Sequence, residues 1–361
     1  MRLIARHGVW CAGEPAAPAP LVAVLEVSGA VLSWTVDADT GPHIAFTDPA
    51  RADWLWRVVG VDGHRALADA LAEPVSDDGA AVEAPAAQLL PGALDHLRRL
   101  AFGHWLRRWW PASHRDGIAE LDQALVAAEI AALTDDAQDF FDDDALDDAV
   151  DELLEPHLAA LDAHALRGDP RVQAVVARAR ELAELQGVEV RGGGPAAVRS
   201  DYALAAGLGG GRAAAGEVAG GVASIAWSAV PPGIFDAAED TVAWRVEADG
   251  DGTRAVVRVE LVGPDTPEGI GVRLRAAGVA GAGALEADGR SVFALADADR
   301  RPLTETDAWG RDWRGAAVAV GAAVDEPAGH RERVRELARS RLRRPPADAL
   351  LAEVLAAESD Y

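Results

Sequence analysis

Lysine and asparagine are absent from this chain of 361 residues, and Met1 and Cys11 are the only residues of their types. Each absence closes a class of chemistry. A Walker-type phosphate loop sets a lysine on the β- and γ-phosphates, and pyridoxal-phosphate or Schiff-base catalysis needs an amine side chain. Protein-kinase chemistry needs a strand lysine and a catalytic-loop asparagine, so it is excluded as well. One cysteine makes neither an intrachain disulfide nor a thiolate zinc cluster. The chain also has no run of about twenty apolar residues that would span a bilayer. No long apolar stretch follows the charges of residues 1–7, as it would in a signal peptide. The expected compartment is therefore the bacterial cytoplasm.

Half of the residues are hydrophobic, enough to pack a core. Much of that share is Ala and Val, so the eleven Trp are the large anchors. The use of Arg in place of Lys fits a high-GC genome. The net charge of −25 opposes generic nucleic-acid binding, because phosphates are repelled by the field of the whole molecule.

The length suits two or three domains of about 150 residues each. Residues 21–27 and 31–36 read as a hairpin turned at Ser28-Gly29. Asp48-Pro49 reads as a cap leading into a helix over 51–59, with a second short helix over 64–72. Pro91-Gly92 opens a stronger helix that must end before Pro111. Further helices are expected from Asp116 or Gly117, from about Asp144 with a kink or break at Pro156, and over 172–185. Arg191-Gly192-Gly193-Gly194-Pro195 then reads as a linker. Beyond it the period turns to two, most clearly on either side of the turn Asp249-Gly250-Asp251-Gly252. Strands are also expected over 215–228, 270–276, 290–296 and 315–321, and helices over 330–342 and 347–357 around Pro345-Pro346. The predicted fold is α+β and multidomain. A small β element with a helical bundle occupies 1–187, a Gly-rich linker 188–199, an antiparallel Ig-like β-sandwich 200–326, and a helical hairpin 327–361.

The most unusual segment runs from Arg98 to Pro111. Arg98, Arg99, Arg107 and Arg108 alternate there with Trp105, Trp109, Trp110 and His104. Such a set stacks on bases or forms a protein-binding hot spot. Helical spacing spreads the four Arg around the axis, so the plainer expectation is Trp in the core with Arg stems running past them. An acidic tract from Asp135 to Glu155 includes Asp142, Asp143, Asp144, Asp147 and Asp148. It has no turn Gly, and Leu146 stands where a calcium loop puts its third ligand, so that motif fails. The tract is either a solvated helix face or an electrostatic surface for a basic partner. Within the chain, Arg331, Arg333, Arg335, Arg339, Arg341, Arg343 and Arg344 make a basic helix. Clamping the acidic tract, binding an acidic partner and serving as a polar face all suit it.

The remaining signals are weak. His7 precedes Cys11 by four residues, but the stretch reads as extended; His157 and His164 are two turns apart on one helix and read as surface or satisfied residues. Gly207–Arg212 reads as a flexible loop rather than an anion cradle, and Asp37-Ala38-Asp39 and Asp297-Ala298-Asp299 are common pairs in an Asp-rich chain. The chain shows neither a Gly-x-Ser-x-Gly elbow nor a His-Glu-x-x-His helix.

Gly103–Ser113 and Trp227–Ala238 resemble segments of actinobacterial accessory (bpX-type) proteins of ternary conflict systems, which work with MoxR-type ATPases and von Willebrand factor A proteins. The resemblance covers about a tenth of the chain and carries no catalytic motif. It implies an adaptor component in an NTP-driven complex. The expected function is thus a non-enzymatic protein-interaction component of a bacterial cytosolic complex, without cofactor or metal. Its candidate contact residues are the Arg, Trp and His of 98–110 and the Asp of 142–148. The alternative is a hydrolase whose site is assembled from sequence-distant Asp, Glu and His.

Overall fold

In a computed structural model, residues 1–73, 75, 77–138, 140–141, 148–166, 168–187, 216–248 and 252–359 are described, with only the backbone at 148 and 149. The expected linker, the loop 207–212, Asp142 to Asp147 and the turn 249–251 lie outside these residues.

Strands β1 (Arg2–Arg6), β2 (Val9–Ala12), β3 (Val22–Val27), β4 (Ala30–Thr35) and β5 (His43–Phe46) come first. Helix α1 (Leu55–Leu71), strand β6 (Ala81–Glu83) and helices α2 (Asp95–Trp109), α3 (Gln123–Gln138), α4 (Asp148–Leu154), α5 (Leu158–Ala165) and α6 (Pro170–Leu185) follow. Then come β7 (Glu217–Ala223), β8 (Val242–Ala248), β9 (Thr253–Val259), β10 (Gly271–Ala276), β11 (Val279–Ala284), β12 (Arg290–Ala294) and β13 (Ala296–Asp297). Helix α7 (Glu305–Trp309), strand β14 (Ala317–Val320) and helices α8 (Ala328–Arg343) and α9 (Leu351–Ser359) complete the chain. The mixture of helices with three antiparallel sheets is an α+β fold. No helix of the described residues is long and apolar enough to cross a membrane.

Several boundaries follow from local chemistry. Asp48 caps a short 3-10 turn over Pro49–Arg51, and α1 starts only at Leu55 and breaks at Gly60, whose φ of 73° lies outside the helical region. Gly60 thus divides α1 into two helical segments, where two helices were expected over 51–59 and 64–72. Pro156 separates α4 from α5. No helix starts at Asp116: Ser113 and Ile118 form an antiparallel bridge there, with Gly117 at a φ of 64°. The cap is Asp122, whose Oδ1 accepts from the N–H of Ala124 and Leu125 at 3.1 Å.

The chain divides into two compact units, the first comprising Met1–Trp110, Leu121–Gly193 and His330–Tyr361. Its six-stranded sheet has the order β3-β4-β5-β2-β1-β6. Helix α2 packs on β3 and α3, and α3 also meets α4, α6 and α9. Gly103 of α2 permits this approach, since a Cβ there would stand 2.8 Å from Ile130 Cγ1 of α3. Helices α8 and α9, expected as a separate hairpin over 327–361, group with this unit.

The second unit comprises Pro111–Glu120 and Gly194–Gly329. It contains two four-stranded sheets, β13-β11-β10-β14 and β12-β9-β8-β7. Val242, Trp244, Val246, Val257 and Val259 of one sheet and Val272, Leu274, Val279 and Val320 of the other belong to a single buried core. Alternation along β8 and β9 produces this: every second residue enters the core and the others face away, Val256 alone of these being buried as well.

Candidate interaction site

The tertiary fold turns most of the Arg/Trp segment inward. Trp105 is buried and its Nε1–H donates to the carbonyl of Pro20 at 2.7 Å; Trp110 is buried too. Arg98 donates to Asp348 at 3.0 Å and lies 4.7 Å from the Phe102 ring centre. Arg99 donates to the carbonyl of Ala349 at 3.4 Å and lies 3.9 Å from Glu129. Arg108 lies over the ring of Trp109 at 4.2 Å, and Arg107 is exposed. Of the expected contact residues on α2, Arg107 is exposed, Arg98, Arg99, His104, Arg108 and Trp109 are half-buried, and Arg98 and Arg99 are already engaged by the fold. Asp142, Asp143, Asp144 and Asp147 lie outside the described residues, and Asp148 opens α4.

Burial, reinforced by the charge of Arg107, lowers the pKa of His104 from 6.5 to about 4. On acidification the unfolded chain takes up this proton first. Stability present above the unfolded value is therefore lost as pH falls from about 6.5 to about 4, by about 3 kcal/mol in all. Burial also lowers His43 and His96, with the same sign. Urea midpoints at about pH 7 and about pH 4.5 test this: His104→Gln is expected to lose less stability between them than the unmodified chain. An equal loss in both proteins refutes the assignment.

The basic helix α8 is occupied inside the first unit. Arg333 donates to Asp37 at 2.7 and 2.9 Å, and Arg335 to Glu332 at 2.5 Å. Arg341 forms a two-point bond to Glu353 at 2.5 and 2.9 Å, with both residues buried. Burial alone would lower the Arg341 pKa, but the Glu353 carboxylate holds it above its ordinary value. Glu353 also accepts from Leu350 N–H at 2.9 Å, and Glu129 accepts from Leu351 at 2.9 Å and Ala352 at 3.3 Å. Both carboxylates thus satisfy the free N–H groups that begin α9. Burial raises the Glu129 pKa against the pull of these donors and of Arg99. Asp135 and Asp136 of the acidic tract face Arg178 of α6 instead of α8.

Other polar candidates serve packing. His164 Nε2 is 2.6 Å from Asp122, the cap of α3. Cys11 is buried in β2, where burial raises its thiol pKa against the charge of Arg6, and His7 sits exposed in the β1–β2 turn. Asp236, buried in the second unit, accepts from Ser113 Oγ at 2.6 Å, His114 N at 2.8 Å, Ala238 N at 2.9 Å and Arg115 N at 3.3 Å. Among the described residues no group of three His, Cys, Asp or Glu is placed to hold a metal ion.

No family model, curated protein or solved structure matches this chain. Its surface must then speak through its own chemistry.

Four large apolar side chains near the start of α1 and in the loop before α2 are left outside the core. Trp56 (45% exposed), Val61 (64%) and Leu90 (49%) are open to solvent, and so is Leu89. Leu90 N–H donates to the carbonyl of Val58 at 2.8 Å, which fixes the loop before α2 beside the kinked first turns of α1. The guanidinium of Arg57 lies 4.5 Å from the Trp56 ring centre. Trp56 stood in the sequence as one of eleven Trp, and Leu89-Leu90 as an apolar pair before a helix. Neither signals exposure, because exposure depends on what the rest of the fold packs against these residues.

Proposed function

We propose that this chain is a non-enzymatic interaction component of a bacterial cytosolic complex. It acts as an adaptor for a MoxR-type ATPase and a von Willebrand factor A protein, and its second unit is an Ig-like sandwich that serves as a binding module. The exposure of Trp56, Val61, Leu89 and Leu90 carries this reading. Large apolar side chains exposed at a surface are a standing cost in water, and Trp and Arg are the residues that most often dominate protein interfaces. The engagement of Asp236, Glu129 and Glu353 by hydrogen-bond donors of the fold also supports it, since such carboxylates hold chain segments together.

Co-expression with a MoxR-type ATPase and a von Willebrand factor A protein of the same genome, followed by size-exclusion chromatography, tests the proposal. The three chains are expected to co-elute. The exposed double substitution Trp56→Ala with Leu90→Ser is expected to weaken the complex about thirtyfold with the fold intact. Separate elution, or co-elution that the double variant does not change, refutes it.

A further inference from the structure

The outer face of the sheet β12-β9-β8-β7 is basic, on a chain of net charge −25. Along β9, Thr253, Ala255, Val257 and Val259 are buried on the core side, so Arg254, Val256 and Arg258 point the other way. Register sets the outward residues in rows. Arg258 stands between Arg290 of β12 and Ala243 of β8, and Ala243 faces Val222 of β7. In the next row Val256 stands between Val292 and Arg245; in the third, Arg254 stands between Ala294 and Glu247.

The two ends of this face differ in compensation. Glu247 accepts from Arg245 at 2.5 Å and from Arg254 at 3.1 Å, which engages both arginines at one end. At the other end Arg258 and Arg290 face each other directly, and neither has an ion-pair partner among the described residues. Glu260, two residues beyond Arg258, is engaged by Arg115 at 2.9 Å. Like charges placed opposite one another destabilise a strand pair. This pair is kept beside two exposed aliphatic side chains, Val222 and Val292.

We propose that this face binds an acidic polypeptide segment with aliphatic residues between its carboxylates. Arg258 and Arg290 take the carboxylates, and Val292 and Val222 take the aliphatic chains. Charge complementarity selects an anion, since two opposed guanidiniums lose their mutual repulsion when a carboxylate group lies between them. The exposed valines select a polypeptide over a free oxyanion, which leaves them in water. Nucleic acid is disfavoured because none of the outward residues on this face is aromatic, so bases find nothing to stack on. The surface includes none of Trp56, Val61, Leu89 and Leu90, and its test involves neither the ATPase nor the von Willebrand factor A protein.

Fluorescence anisotropy on the full chain tests the proposal, with a labelled peptide of Glu residues interspersed with Val. Controls are the same peptide with Lys for Glu, an oligothymidylate of equal charge, and inorganic phosphate. Saturable binding of the acidic peptide alone is expected, weakened about tenfold by Arg258→Ala or by Arg290→Glu. Arg290→Glu also sets opposite charges face to face, so its urea midpoint is expected to rise while peptide binding falls. A merely structural arginine moves both in the same direction. Peptide affinity unchanged by these substitutions overturns the proposal, as does binding of phosphate or oligothymidylate as tight as that of the peptide. Self-association of the chain through this face, lost in the same variants, overturns it too.

Discussion

Replacing Glu353 with Ala is expected to destabilise the first unit by about 3–5 kcal/mol. The substitution leaves Arg341, a residue 8% exposed, with only the more distant Asp348 at 3.9 Å, and takes the acceptor from Leu350 N–H at the start of α9. An unpaired buried charge costs far more than the pair itself contributes, because desolvation of the remaining ion is no longer offset. The double replacement Arg341→Met with Glu353→Leu removes both ions and is expected to recover most of the loss. Urea denaturation of the three proteins, with hydrogen exchange at the Leu350 and Leu351 amides as the local readout, checks this. If the single and double variants lose the same amount, the pair is not the source of the cost.

Asp236→Ala is the second large effect, about 3–5 kcal/mol in the second unit. One carboxylate there receives the hydroxyl of Ser113 and the amides of His114, Arg115 and Ala238, so its removal leaves four donors in a largely dry site. Ser113 Oγ in turn accepts from Asp116 N–H at 2.9 Å, which carries the loss through the turn of 111–120. Amide exchange at His114, Asp116 and Ala238 is expected to accelerate together, while the amides of α9 keep their protection. Unchanged exchange at His114 and Ala238 would show that other contacts hold this segment.

Some of this architecture was readable from local pattern. The alternation of 243–247 and 255–261 specifies β8 and β9, because a half-buried strand must place every second side chain in the core. Pro156 predicts the gap between α4 and α5, and Gly60 falls between the two helices read over 51–72. The short strands β1, β2, β5 and β6 gave no such signal. They have three to five residues each, and their hydrogen-bond partners include segments far along the chain, as in the pairing of Leu3 with Val82. The start of α3 was misread for a related reason. Ile118 and Leu121 continue the helical spacing, yet Asp122 caps the helix and Ile118 pairs with Ser113.

Composition by itself settled which chemistries this protein lacks the side chains to perform, and periodicity settled which stretches coil or extend; both depend only on residues near each other in the chain. The fate of several arginines was decided by tertiary structure alone. Arg98 and Asp348 are 250 residues apart, Arg333 and Asp37 are 296 apart, and nothing local distinguishes them from Arg258 or Arg290. A guanidinium is neutralised only where folding brings a carboxylate within a few ångströms, so folding determines which positive charges bind the protein to itself and which remain for something else.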